Sequence, residues 1–265
     1  MRTISELTND DLRDLYAYPE TPAVPWVRAN FIMTLDGAAS VDERSGGLGT
    51  AADRRVFGLL RDLADVILVG AQTVRVEDYG GARTSERKRE RREEDGLSAV
   101  PPIAVVTSSC DLDPASRLFT DTSVPPLILT SHEAPFEHRA RLVAAGAQVM
   151  EITEHTITPE HILSTLAALN LTRVLCEGGP NLFGQLVADD LVDDLCLTIR
   201  PLLATGNAPR IARSEQPSLH QMGCSSIITD EDGTLLTRWI RTEPVSDSGI
   251  DAVPSENLGP SSGTL

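Results

Sequence analysis

Residues 173–185, RVLCEGGPNLFGQ, constrain the fold more than any other stretch of the 265-residue chain. An apolar run ends at Glu177. Two glycines follow, and Pro180 and Asn181 then open a helical pattern carried by Leu182, Phe183, Leu186 and Val187. Proline is tolerated at a first helical turn, because the amide it lacks has no partner there. A strand that runs through glycines into a helix start leaves amides aimed outward and a dipole that favours an anion. Glycines also let a ligand reach the backbone with no Cβ in the way. The segment reads either as a phosphate cradle or as a tight turn that binds nothing. Two familiar phosphate motifs fail: Gly184 is followed by Gln185 rather than Lys-Ser/Thr, and no G-x-G-x-x-G is present.

The rest of the chain repeats the strand-then-helix theme. Strand-like runs fall at 26–33, 65–69, 103–107, 127–130, 148–152, 173–176, 194–200, 225–229 and 234–240. Residues 51–63 carry a helical stripe (Val56, Phe57, Leu59, Leu60, Leu63) behind Thr50, an N-cap residue. Thr158 with Pro159 marks a second helix start, and Gly146 a helix end. The pattern predicts an α/β fold with a mixed, mostly parallel central sheet in a three-layer αβα sandwich. Glu231-Asp232-Gly233 predicts a closing antiparallel hairpin. Residues 1–24 read as a leader that wraps onto a domain at 25–242. Residues 84–98 read as a charged insertion, an exposed loop or short helix, and 243–265 as a flexible tail.

Charge and residue counts exclude several functions. Asp and Glu number 39 against 23 Lys and Arg, a net charge of −16, which disfavours nucleic acid and anionic membranes as partners. No apolar run approaches the roughly 18 residues of a membrane span, and the polar N-terminus predicts a cytoplasmic protein. Lys88 is the single lysine and lies in a charged run, which argues against a Schiff-base or P-loop lysine. Four scattered cysteines and five histidines form no zinc-binding spacing, so no metal is expected.

Two further segments offer chemistry. Asn30–Gly37, NFIMTLDG, is a strand running into a turn, and Asp36 is there either a general acid or a turn cap. A second glycine-rich helix approach follows at 45–50. Residues 65–78, DVILVGAQTVRVED, put Thr73 at the carboxyl edge of the sheet, where open α/β sheets bind ligands, with Glu77 and Asp78 next to it. Arg61 precedes them, as a phosphate clamp or as a cation at a helix C-terminus.

Taken in order, NFIMTLDG, SGGLGTAADRRVFGLLRDLADVILVGAQTVRVED and EGGPNLFGQLVADDLVDDLCLTIRPLLATG resemble the pyrimidine reductases of riboflavin biosynthesis, whose fold is similar to dihydrofolate reductase. The resemblance covers roughly residues 26–240. It implies NADPH-dependent reduction of a ribosylaminopyrimidine 5′-phosphate, of the 5-amino-6-(5-phosphoribosylamino)uracil type, in which ribosyl becomes ribityl. The zinc ligands of the deaminase domain that many members carry are missing. By position, the resemblance implies substrate contacts at Asn30, Ser45, Arg61, Arg83 and Glu177. It implies NADPH contacts at Ile32, Gly47, Thr73, Glu77, Ser108, Gly178, Gly179, Pro180, Asn181, Leu182, Phe183, Gly184 and Gln185. It further implies a cis peptide at Gly178-Gly179 and a homodimer formed near residues 191–203. Asp36, Glu77 and Glu177 are the candidates for proton delivery. The chain departs from the family in Asn30, where lysine is usual, and in Glu77-Asp78-Tyr79, where Asp-Asp-Pro is usual. Two alternatives stay open: a dihydrofolate or other pterin reductase on the same fold, and a non-catalytic NADPH-binding module.

Overall fold

A computed structural model describes residues 2–20, 22, 24–41 and 44–242. The tail expected at 243–265 lies outside these residues. In chain order the elements are β1 (Arg2–Thr3), α1 (Asn9–Leu15), β2 (Trp26–Thr34), α2 (Ala51–Leu63), β3 (Val66–Gly70), α3 (Ala71–Val76), α4 (Glu86–Glu94), β4 (Ile103–Val106) and α5 (Arg117–Thr120). There follow β5 (Leu127–Ser131), α6 (Phe136–Ala144), β6 (Gln148–Thr153), α7 (Pro159–Ala168), β7 (Arg173–Cys176), α8 (Pro180–Ala188), β8 (Asp194–Arg200), β9 (Met222–Thr229) and β10 (Leu235–Arg241).

The strands form one ten-stranded sheet in the order β1-β9-β10-β8-β2-β7-β3-β4-β5-β6. From β8 to β6 every neighbour is parallel, while β10 runs antiparallel to both β8 and β9. This is the mixed, mostly parallel sheet with a closing antiparallel pair that the sequence predicts. The alternation along β3 shows how helices cover both faces. Ile67 and Val69 join a core with α1, α2 and α6, whereas Val66 and Leu68 join a second core with α7 and α8. Strands buried on both faces read as unbroken apolar runs, which is why they were legible.

Helix starts follow local capping. Thr50 accepts from the Asp53 amide and Thr158 from the His161 amide. The helix α3 was not anticipated, since six residues leave too little periodicity to read. The charged insertion contains α4, and one of its arginines is structural. Arg92 is fully buried and donates through Nη1 to the carbonyls of Arg61, Asp62 and Ala64, which the end of α2 leaves unpaired. The leader is bound as firmly: Ile4, Leu7, Leu12 and Tyr16 are buried in the α2-side core. Arg28 and Arg238 both donate to the fully buried Asp194, and their remaining donors take the carbonyls of Leu15, Tyr16 and Ala17. No helix among the described residues is long and apolar enough to cross a membrane.

The feature that positions the site is a length mismatch. Strand β2 pairs with β7 only as far as Ala29 but continues along β8 to Thr34. Residues Asn30, Phe31 and Ile32 thus overshoot β7 at the carboxyl edge of the sheet.

Candidate active site

At that edge opens a cleft of about 1190 Å³. A single small ligand usually occupies roughly 300–1,000 Å³, so this cleft has room for a dinucleotide and a second molecule. Across the sheet it is lined by His155 beyond β6, Ser131 at the end of β5, Val106 at the end of β4 with Thr107 to Ser109 after it, Gly70 at the end of β3, Glu177 after β7, and Asn30 to Ile32 on β2.

One side is built from backbone. The bond between Gly178 and Gly179 is cis, and Gly178 takes a positive φ of 94°. The Gly178 carbonyl accepts from the Gly70 amide at 2.8 Å, which fixes the turn to β3. Gly179 then caps α8 with Pro180 in its first turn. A Cβ on Gly179 would lie 2.5 Å from Thr73 Oγ1, and one on Gly178 would lie 3.2 Å from the Phe31 ring. Only glycines permit this approach, and the cradle that results fits a diphosphate against the start of α8. Thr73, Ser108, Pro180, Asn181, Leu182 and Gln185 line the same cleft.

The other side is built from side chains. Glu177 is nearly buried, and Arg61 donates to it from Nε and Nη2 at 2.7 Å each, a bidentate pair. Tyr79 adds its hydroxyl at 2.6 Å. The Arg61 guanidinium lies 4.4 Å from the Phe57 ring centre. Burial works against the Arg61 charge, but Glu177 and Tyr79 together outweigh it and the pKa rises. Burial, reinforced by Glu177, pushes the Tyr79 phenol well above its ordinary value, so it stays a donor. Glu77 accepts from the Ser45 amide at 2.7 Å and so ties the 45–50 segment to α3.

The structure brings together most of the residues singled out in the sequence. Asn30, Ile32, Ser45, Arg61, Thr73, Glu77, Arg83, Ser108, Glu177, Gly179, Pro180, Asn181, Leu182 and Gln185 line the cleft. Five do not. Asp36 lies outside the lining and acts as the turn cap: it accepts from Thr34 Oγ1 and from the Ala204 amide, and these bonds lower its pKa, the wrong direction for a general acid. Gly47 stands back from the lining, which takes Gly46 and Gly49 instead. Gly178 sets the turn from behind, against Phe31. Phe183 is buried on Phe31 with ring centres 4.6 Å apart. Gly184 is a packing residue, since a Cβ there would lie 1.9 Å from the Arg213 carbonyl oxygen. Arg83 lines the cleft but pairs with Asp121, which also holds Arg117.

Among the lining residues not singled out in the sequence are Tyr79, Arg213 and Asp53. Tyr79 registered only as a departure from a pattern. Arg213 arrives on a segment with no periodicity. Asp53 sits in the first turn of a helix whose start was legible, and its spacing of four from Phe57 and eight from Arg61 was the available signal.

A family model described as the RibD C-terminal domain matches residues 25–236. The 2,5-diamino-6-ribosylamino-4(3H)-pyrimidinone 5′-phosphate reductase of Archaeoglobus fulgidus is 30% identical over 193 residues, which cover 72% of this chain and 87% of that protein. The reductase of the same description from Methanothermobacter thermautotrophicus is 28% identical, over 70% of this chain and 82% of that protein. Among solved structures, a pyrimidine reductase-like protein from Corynebacterium diphtheriae superposes with a TM-score of 0.79 at 25% identity, covering 89% of this chain and all of that one.

Proposed function

The chain belongs to the RibD C-terminal domain family, and from that premise we propose that it is an NADPH-dependent reductase of a ribosylaminopyrimidine 5′-phosphate in riboflavin biosynthesis. One observation carries the reading: a glycine cradle fit for a diphosphate and the Arg61–Glu177–Tyr79 cluster face the same cleft. NADPH, when bound, supplies a hydride. The protein's part is to hold and orient, because the redox chemistry belongs to the coenzyme.

In this reading Thr73, Ser108 and the Gly179-Pro180-Asn181 backbone hold the coenzyme, with Ile32 on the floor between the two ligands. Glu177, oriented by three donors, presents a fixed acceptor to the ribosyl hydroxyls. Ser45 and the exposed part of Arg61 face the substrate phosphate. Glu77 keeps the Ser45 segment in place. Hydride transfer would require the reacting atoms within roughly 3–3.5 Å, an approach the cleft walls would have to enforce.

The test is a steady-state assay of NADPH oxidation with 2,5-diamino-6-ribosylamino-4(3H)-pyrimidinone 5′-phosphate, its deaminated counterpart and dihydrofolate. The expected result is turnover of a ribotide to a ribityl product. Turnover of dihydrofolate alone would move the assignment to a pterin reductase, and coenzyme binding without turnover would leave a binding module.

A further inference from the structure

The charged insertion at 84–98 has no part in the reductase reading, yet it meets the substrate side of the cleft twice. It leaves the cleft after Arg83, a lining residue, and its helix α4 returns to Arg61, another. Arg61 stands in the last turn of α2. The final carbonyls of a helix have no partner within it, and a last turn left open in this way frays. Here α4 closes it. Arg92 Nη1 donates to the carbonyls of Arg61, Asp62 and Ala64 at 3.0, 2.9 and 2.9 Å, and Nε donates to that of Ser98 at 2.7 Å. Lys88, one turn earlier on α4, pairs with the Asp62 carboxylate at 2.5 Å. Both cations sit at the negative end of the α2 dipole.

Arg92 is fully buried and forms no ion pair among the described residues, whereas the other two buried arginines, Arg28 and Arg238, share Asp194. Its Nη2 has no hydrogen-bond partner there, and burial lowers its pKa. A buried charge without a counter-ion is costly, so the place of Arg92 is set by the carbonyls it closes. The helix that carries it is held by α1, through the pairs Arg91–Asp10 and Arg13–Asp95. From the same turn that Arg92 closes, Arg61 gives Nε and Nη2 to Glu177. One turn of α2 thus joins the insertion to the cleft.

We propose that Arg92 is a positioning residue for the active site: by closing the last turn of α2, with Lys88 beside it, it holds Arg61 in the direction that meets Glu177 and the substrate phosphate. The inference rests on the reductase reading above, which gives Arg61 its substrate. The side chains of the insertion reach α1 and α2, and among the described residues none reaches the glycine turn or α8, so the insertion braces the substrate side and not the coenzyme side. With the turn loosened, Arg61 would meet Glu177 for only part of the time, and the phosphate would find a cation that is no longer preset.

The experiment measures, by calorimetry, dissociation constants of 2,5-diamino-6-ribosylamino-4(3H)-pyrimidinone 5′-phosphate and of NADPH for the wild type, Arg92→Lys, Lys88→Ala and Leu142→Ala. Leu142 is fully buried on α6 and lies outside the cleft lining, so its variant controls for lost stability. Arg92→Lys keeps the charge but reaches fewer carbonyls. It is expected to weaken the ribotide about ten-fold, the worth of one hydrogen bond to a charged group, with NADPH unchanged. Lys88→Ala is expected to weaken it about three-fold. Leu142→Ala is expected to leave both ligands unchanged at an equal or larger loss of melting temperature. In an Arg61→Ala background Arg92→Lys is expected to add nothing, because its effect runs through Arg61. A second readout needs no ligand: hydrogen exchange at Arg61 Nε, which donates to Glu177, is expected to quicken about ten-fold in Arg92→Lys and to hold in Leu142→Ala. An Arg92→Lys protein that melts lower but keeps ribotide affinity and Arg61 exchange, or one that weakens both ligands equally, would overturn the positioning role and leave the reductase reading intact. If Arg92→Lys does not fold, Lys88→Ala decides by the same two readouts. A wild type that binds no ribotide while the exchange contrast persists would remove the reductase reading and keep the link from Arg92 to Arg61.

Discussion

The two sides of the cleft are made of different material. The α8 side is backbone: two glycines, a proline and a helix start, contiguous in sequence between Cys176 and Gln185. The α2 side is a mesh of side chains in which Arg61, Tyr79 and Glu177 come from separate elements and satisfy one another. The first side is sensitive to added atoms, and the second to lost partners. This difference predicts opposite sensitivities to substitution, which the variants at Arg61, Gly184 and Gly179 test against Asp36 as a position outside both sides.

The largest effect is expected for Arg61→Ala. It strands Glu177, nearly buried, without its cation, and breaking a buried pair in this way costs about 3–5 kcal/mol. Urea denaturation reads the loss, and KM for the substrate is expected to rise with coenzyme affinity unchanged. Equal losses of substrate and coenzyme would show that the two sides are one unit. Gly184→Ala comes next. Its Cβ would meet the Arg213 backbone at 1.9 Å, and overpacking of this kind costs about 1–3 kcal/mol. A melting temperature lowered by about 2–4 °C per kcal/mol would report it.

Gly179→Ala separates binding from stability. The clash is with Thr73 Oγ1, the far end of a side chain that can turn away. The expected outcome is a near-normal melting curve with coenzyme affinity reduced about ten-fold, equivalent to about 1.4 kcal/mol. The smallest effect is expected from Asp36→Asn, which belongs to neither side. The folded pKa of Asp36 is lowered by Thr34 and Ala204, so its contribution is present above the ordinary carboxylate value of about 3.9 and is lost as pH falls through the lowered one. The variant should melt below the wild type at neutral pH, and the gap should close in acid. A gap that widens in acid would reverse the sign of the assignment.

The same contrast explains what could be read in advance. Unbroken apolar strands, Thr50 and Thr158 as caps, and the glycine turn are local signals, and they delivered the sheet, the helix starts and the α8 side. Arg92, which closes the end of α2, looks in sequence like one more charge in a solvated run, because only the folded chain brings unpaired carbonyls to it. Asp36 reads in sequence as either a general acid or a turn cap, and the fold sets its carboxylate on the Thr34 hydroxyl of its own turn and on the Ala204 amide, a partner far along the chain. Asp53 drew no reading in sequence, because its contact with Thr198 depends on a strand 145 residues later in the chain.

The central claim is that coenzyme and pyrimidine ribotide share one cleft, the first on backbone and the second on side chains. A crystal soaked with NADPH and 2,5-diamino-6-ribosylamino-4(3H)-pyrimidinone 5′-phosphate examines both at once. The coenzyme diphosphate is expected at the start of α8, within hydrogen-bond reach of the Gly179–Asn181 backbone, with the ribosyl group at Glu177. Coenzyme density away from that turn, or a ribotide seated beyond the reach of Glu177, would overturn the shared-cleft reading.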